Sequence, residues 1–520
     1  MAIDLYLSFL MSYSKELLVC AVATWLMAEA IKAVFRAVRS PIPGPRLAKL
    51  TGLWIRYQEI KDSGKTWKTT HRLHEKYGPI VQLGPKEVSV CHGDALRTIY
   101  HGPRGLDGSD AIAVLRQYGS DNLVSTVDSD LHIARRRAVL GLYTAPNIAS
   151  PALLDIFNTY VDHFINAVEE QARLSPSRTV TAFEWIKWAT SDIMLHLIYG
   201  KDPGVNLLTN EKSRSKYKEL LSTTAFTFSQ AVIALFPNSL GRILEIAKPE
   251  SPLSALGMKL VEQGLESEGL QSQNSAASTS HIQQLGTRFK NHGACPVIPD
   301  KEYIASDCLD HFLAGNGTTT DLLSALIFHL SLPENCSHQE RLRQELHDAG
   351  IVVETQPSLV TLQQLPFLNR VLRETLRTDS PIPFSLPRVL NKDKSLEVMG
   401  FKIDPETQIS SQAYTLHRDP TIFPDPESWN PDRWDVPTKS PEYRLMNRNL
   451  WPFGSGPRMC TGMNVAWAMS RLITARIYST FKTSLDTVWF DENGKLLPEE
   501  KRKDLYPSTI QEPIRFERCS

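Results

Sequence analysis

The chain has 520 residues, room for one large domain or two to three smaller ones, and its 42% hydrophobic and 22% charged residues suit a globular protein with a real core. Lys plus Arg and Asp plus Glu each number 57, a formal net charge of zero that argues against a nucleic-acid partner, for which a basic excess is expected. The seven cysteines, at 20, 91, 295, 308, 336, 460 and 519, are odd in number and lack CxxC spacing, which points to a reducing compartment and away from a structural zinc site.

Leu17 to Ala28 (LLVCAVATWLMA) carries no charge. The apolar character continues to Val38, interrupted by Glu29, Lys32 and Arg36, whose spacing puts them on one helical face. The clean run falls short of the roughly 20 residues a span needs. Charges near the end of a longer helix can snorkel, however, and Ile3 to Tyr13 adds a second mostly apolar stretch. A buried or interfacial helix is the competing reading. A membrane anchor over residues 1–40 is preferred, because Lys32, Arg36, Arg39, Arg46 and Lys49 follow and direct the remainder to the cytoplasm. A cleaved signal peptide lacks its basic start, since Glu16 offsets Lys15. Pro41-Ile42-Pro43-Gly44-Pro45 then ends the helix as a stiff hinge, and residues 41–520 read as one domain.

Ile80 to Leu83 and Val88 to Cys91 flank Gly84-Pro85-Lys86-Glu87 and predict a small hairpin. Asp130 to Tyr199 is mostly helical, with breaks near Pro146, Pro151 and Pro176, and Gln271 to His281 is a polar loop. Tyr303 to Leu332 is long and apolar and stops at Pro333; as a helix it would run about 45 Å. Pro366 to Thr378 is a further helix, followed by a Pro-rich extended piece, Ser380 to Leu390. Residues 391–460 are loop-rich with short strands, and Gly462 to Phe481 is helical again. The fold class is mainly α with a minor β-sheet region.

Phe453 to Gly462 (FGSGPRMCTG) sets one cysteine in a loop with three glycines, a proline and an arginine. A thiolate is a good ligand for iron if it is held unprotonated and shielded. Glycines at 454, 456 and 462 let backbone pass close to a flat partner and free N–H groups to point at the sulfur. A helix starting just after Cys460 favours the thiolate through its positive end. Arg458 supplies a cation to an anionic group, and Phe453 a ring to pack against the pocket.

Phe453-x-x-Gly456-x-Arg458-x-Cys460-x-Gly462 resembles the haem-binding signature of the cytochrome P-450 superfamily, the haem-thiolate monooxygenases. The resemblance implies that Cys460 is the axial thiolate of a b-type haem, that Arg458 meets a propionate, and that the haem lies between the long central helix and the Cys460 loop. Glu374-x-x-Arg377 and the later Arg433 resemble the family's buried charge network and are assigned to folding. Arg388 is a further candidate for a propionate. His132-Ile133-Ala134-Arg135-Arg136 resembles the family's Trp-x-x-x-Arg helix, with His132 in place of tryptophan. Arg136 is the preferred propionate ligand; Arg135 or Arg137 reads as merely solvated.

Ala314-Gly315-Asn316-Gly317-Thr318-Thr319 is similar to the family's oxygen-site motif. Gly315 and Gly317 would permit a local opening of the helix, and Thr318 matches the threonine that passes protons to bound oxygen. Gly317 stands where the family carries an acid. The resemblance implies insertion of one oxygen atom from O2 into an apolar small molecule, with electrons from NADPH through NADPH-cytochrome P-450 reductase, at the endoplasmic reticulum membrane. The pattern, including "LHEKYGPIVQLGP", is similar to fungal microsomal members of secondary metabolism. The rivals are a haem-thiolate isomerase or dehydratase that needs no reductase, favoured by Gly317 alone, and a non-catalytic haem sensor or carrier. Expected pocket walls are Leu309, Ala314, Thr318, Phe384 and Leu386, plus helices around Phe226 to Leu240.

Overall fold

The apolar N-terminal residues form one unbroken helix, α1 (Ala2–Arg39), so the two apolar stretches are continuous. Its Leu18–Arg39 part has a mean hydropathy of 1.8 and, unlike a core helix, none of its most apolar stretch is buried in the protein; by length and composition it can cross a membrane. Glu29 and Lys32 pair at 2.8 Å on its surface, one turn apart. The structure, a computed structural model, describes residues 2–62, 65–101, 106–200, 205–222, 251–266, 280–491, 495–496 and 513–519. The expected pocket helices around Phe226 to Leu240, and most of the polar loop from Gln271, lie outside the described residues.

The proline hinge ends α1 but is not a free spacer. Ile42 is buried with the sheet residues, and the Pro43 carbonyl accepts the Gln82 N–H at 2.7 Å. A Cβ on Gly44 would meet the Gln82 carbonyl oxygen at 2.5 Å, so this close approach requires glycine.

The expected hairpin is β1 (Ile80–Gly84) and β2 (Glu87–Val90), antiparallel with an irregularity between Gln82 and Gly84. With β3 (Leu106–Gly108), β4 (Arg388–Leu390) and β5 (Gln408–Ser410) it builds a sheet of order β1-β2-β5-β4-β3, in which β2 and β5 run parallel. A three-stranded sheet orders Thr179–Val180, Ile514–Arg518 and Phe481–Leu485.

Helices make up most of the rest. The ones that position the site are α2 (Ser129–Val139), α3 (Ala182–Tyr199), α4 (Lys301–Ser331), α5 (Pro366–Thr378) and α6 (Met463–Thr480). Asp300 caps α4 by accepting the Tyr303 N–H at 2.6 Å, and Pro333 follows its end. Most of α4 is buried, with α3 as its most extensive partner, so α4 is the central rod of the main core. Pro366 occupies the first turn of α5, where its missing N–H costs nothing; the Phe367 and Leu368 N–H groups donate to the two oxygens of Glu345 at 2.7 and 2.8 Å.

Candidate active site

The cysteine loop is tied at both ends. The Cys460 N–H donates to the Phe453 carbonyl at 2.9 Å, and α6 begins at Met463. Gly456 has φ +74°, and a Cβ there would collide with the Tyr100 carbonyl, so only glycine lets the loop lie on the end of the Gly93–Tyr100 helix. Arg136 reaches across from α2 and donates to the Met459 carbonyl at 2.5 Å and to Thr461 Oγ1 at 2.9 Å. The Phe453 ring rests against Trp467, centroids 6.0 Å apart.

The exposed surface of Cys460 faces an internal cavity of about 310 Å³ that Phe453, Arg458 and Gly462 also line. Burial is the largest influence on the thiol and pushes its pKa up; the Gly462 and Met463 N–H groups and the Arg136 charge pull it down without overcoming burial. The donors expected at the start of α6 thus act on the sulfur, against the cost of its burial.

Helix α4 forms the facing wall through Ala314, Gly315 and Thr318. The Thr318 hydroxyl donates to the Ala314 carbonyl at 2.6 Å. The helix is continuous, so the glycines do not open it as expected. Their effect is one of space. A Cβ on Gly315 would press on Met194 of α3, whereas one on Gly317 meets nothing within 4 Å. Asn316 points away from the cavity and accepts the Thr190 hydroxyl at 3.0 Å.

A neighbouring cavity of about 330 Å³ shares Arg458 and is lined by Tyr100, His132 and Arg388. Arg458 donates to the Thr126 and Val127 carbonyls at 2.7 and 2.5 Å. Its pKa falls to about 10, through burial and then the Arg388 charge. Arg388 lies 5.1 Å from the Tyr100 ring centroid and donates to the Pro387 carbonyl. Buried His132 has an Nδ1 with no hydrogen-bond partner among the described residues. Its pKa falls to about 3, through burial and then the charges of Arg458, Arg136 and Arg388. Arg136 does not line this cavity; it braces the cysteine loop instead. Arg135, expected to be solvated, is 4% exposed, bonded to Thr126 Oγ1 at 2.6 Å and stacked 4.3 Å from the Tyr303 ring centroid, because its turn of α2 faces α4.

Glu374 on α5 is fully buried. One carboxylate oxygen accepts from Arg377 Nη2, Arg433 Nε and the Asn430 N–H at 2.8–2.9 Å; the other accepts from Arg377 Nε at 3.0 Å and Trp434 Nε1 at 2.9 Å. Arg377 also donates to the His417, Pro426 and Ser428 carbonyls. A buried charge costs least when every lone pair and proton is used in this way.

Of the expected walls, Ala314, Thr318 and Leu386 line the main cavity. Leu309 does not: it is buried against Tyr199 and Tyr217 on the side toward α3. Nor does Phe384, which is 42% exposed: the chain bends at this residue, so it leaves the side that Ile382 and Leu386 share. Asp310 lines the cavity and was missed, although its spacing of four and eight from Ala314 and Thr318 puts it on their helical stripe. Tyr100, whose hydroxyl donates to the Leu386 carbonyl at 2.7 Å, was missed too, and no motif marks it.

A lone cysteine sulfur in a cavity beneath a long central helix, with arginines gathered to one side, is the layout of a haem-thiolate enzyme. The family model described as Cytochrome P450 matches residues 42–503, and the chain belongs to that family of oxidoreductases. It is 27% identical over 455 residues to the cytochrome P450 monooxygenase orf2 of Aspergillus niger, covering 86% of this chain and 88% of that protein. It is 28% identical over 494 residues to traB of Penicillium crustosum, also named a cytochrome P450 monooxygenase, with 92% of each chain covered. Similarity to the monooxygenase atr2 of Stereocaulon alpinum is 27% over 479 residues, 88% of each chain.

Proposed function

We propose that this chain is a membrane-anchored haem-thiolate monooxygenase of fungal secondary metabolism. Residues 1–40 anchor it in the endoplasmic reticulum membrane, and residues 41–520 form one catalytic domain facing the cytoplasm. Electrons come from NADPH through NADPH-cytochrome P-450 reductase. The observation that carries the reading is that Cys460 and Thr318 line one largely apolar cavity, with a basic cradle beside it.

The residues fit a b-type haem. Cys460 offers a sulfur to the cavity, Gly456 and Gly462 keep the loop slim, and Phe453 packs beside it. The orphaned Nδ1 of His132, with Arg388 and Arg458, suits the two carboxylates of the porphyrin edge. Arg136 supports the site through the loop carbonyl. When bound, the haem supplies activation of O2, one atom going to the substrate and the other to water. Around it the chain positions an apolar substrate against Ala314 and Leu386 and limits water. Thr318 holds a proton at Oγ1, and Gly315 lets α4 lie close to Met194. Glu374, Arg377 and Arg433 hold the framework.

The test is reconstitution of the full-length protein with haem, reductase and NADPH. The reduced protein with carbon monoxide is expected to give the red-shifted Soret band of thiolate ligation, and Cys460→Ser to lose it; a variant that keeps the band overturns the assignment. Turnover of a peroxide substrate without reductase, and no reductase-dependent turnover of any substrate, would instead support the isomerase or dehydratase reading to which Gly317 lends weight.

A further inference from the structure

Asp310, Ala314 and Thr318 follow one another at four-residue steps along α4, and all three line the cavity that Cys460 faces. Each step turns the helix by about 40° and advances it about 6 Å, so Asp310 lies roughly 12 Å up the same stripe from Thr318. It is the only carboxylate among the described residues that line this cavity.

Its neighbours are otherwise engaged. Asp307, one turn earlier, takes the Leu123 N–H at 2.6 Å and His281 Nε2 at 2.9 Å. His311 Nδ1 is bonded to the Asp307 carbonyl at 2.9 Å, the Tyr143 hydroxyl to His281 at 3.1 Å, and Arg458 to the Thr126 and Val127 carbonyls. Among the described residues no hydrogen bond or ion pair reaches the Asp310 carboxyl, and burial pushes its pKa up to about 7, with His311 opposing and Asp307 adding to the rise.

An unpartnered carboxyl facing an apolar cavity is costly, and a leucine would fill such a wall without that cost. Relay of protons to Thr318 is a poor account, since the separation along the helix exceeds the reach of one hydroxyl and Ala314 between them carries no proton. Among the described residues it lacks a partner, and a donor that arrives with the substrate would supply one. The nearby Asp307 carboxylate adds negative potential, so a cation suits the place better than a neutral donor.

We infer that Asp310 is a specificity residue that binds the protonated amine of an otherwise apolar substrate and thereby sets which distant carbon lies beside Thr318. The inference rests on the monooxygenase reading, because the same cavity is taken as the substrate site.

The test uses the full-length, haem-loaded protein in lipid nanodiscs and two probes of equal size, N,N-dimethyl-5-phenylpentylamine and the neutral 7-phenylheptan-2-one. Affinities are measured by isothermal titration calorimetry. The expected result is at least a tenfold preference for the amine in the wild type. Asp310→Asn is expected to lose that preference while binding the ketone within twofold of wild type, and Asp310→Glu to retain part of it. Equal binding of the two probes by the wild type, or an amine preference that survives in Asp310→Asn, overturns the inference. The carbon monoxide spectrum of each sample separates the readings: an absent thiolate band in the wild type counts against the haem assignment, whereas a normal band in Asp310→Asn shows that only the carboxylate was lost.

Discussion

The imidazole of His417 accepts the backbone N–H of Trp451 on Nε2 at 2.8 Å and donates from Nδ1 to the Arg377 carbonyl at 3.0 Å. One neutral ring thus joins the Glu374–Arg377 network to the segment that leads into the cysteine loop. Both bonds require the tautomer with the proton on Nδ1, and protonation of Nε2 breaks the bond to Trp451. Burial, and then the Arg377 and Arg418 charges, lower the pKa of this histidine to about 3.

Acid should therefore weaken the fold through this residue. The unfolded chain takes up a proton near pH 6.5 that the folded ring refuses, so the stability it contributes is complete above that pH and is lost as pH falls toward 3. At pH 5 the loss is about 2 kcal/mol for His417. Buried His74, lowered to about 4, works in the same direction. Denaturation midpoints at pH 7.5 and pH 5 measure this, and His417→Gln is expected to start less stable but to lose less on acidification. An unchanged difference between the two pH values would sink the account.

The basic cradle makes a separate forecast about cofactor retention. Arg388→Ala and His132→Ala are expected to speed haem transfer to apomyoglobin by roughly tenfold each, the loss of one charge-assisted or neutral hydrogen bond to a propionate. Arg458→Ala should do the same and also lower the melting temperature, because its bonds to the Thr126 and Val127 carbonyls go with it. Transfer rates equal to wild type in all three would remove the cradle from haem binding.

At the oxygen site, product formed per NADPH oxidised is the quantity to follow. Thr318→Ala is expected to lower it about fivefold or more, with hydrogen peroxide as the other product, because the cavity loses the Thr318 hydroxyl and keeps only that of the adjacent Thr319 on that turn. Gly317→Asp has open space for its side chain and is expected to leave coupling unchanged or to improve it. Equal ratios for wild type and Thr318→Ala would move weight to the reductase-independent rival.

The docked hinge sets where a soluble form can begin. Deleting residues 2–39 is expected to shift the protein toward the soluble fraction with its carbon monoxide spectrum intact. Deleting through Pro45 also removes Ile42 from the sheet core and the Pro43 carbonyl from Gln82, which should cost about 2 kcal/mol. Thermal midpoints of the two truncations, run side by side, distinguish a docked hinge from a loose one.

Local chemistry made much of this legible in the sequence. Pro366 at a first helical turn gave α5 its correct limits, and the spacing around Cys460 marked the loop. What escaped were directions and distances. Leu309 and Asp310 are adjacent, yet a 100° turn sends one into the core against Tyr199 and the other into the cavity. Arg135 reads as part of a charged run but stacks on Tyr303, far along the chain. Tyr100 and His417 act through partners remote in sequence, and neither lies in a motif.

The cradle and the loop draw on positions 100, 132, 136, 388, 456 and 460, and no two-element fragment holds them all. Assembly of this pocket is thus a late event: during synthesis α2 and Tyr100 must wait for the loop that emerges more than 300 residues afterwards. Until then the apolar faces of α3 and α4 that the closed core will cover are open to chaperones and to aggregation. Cofactor supplied during expression is therefore expected to raise the share of chain that reaches the native state.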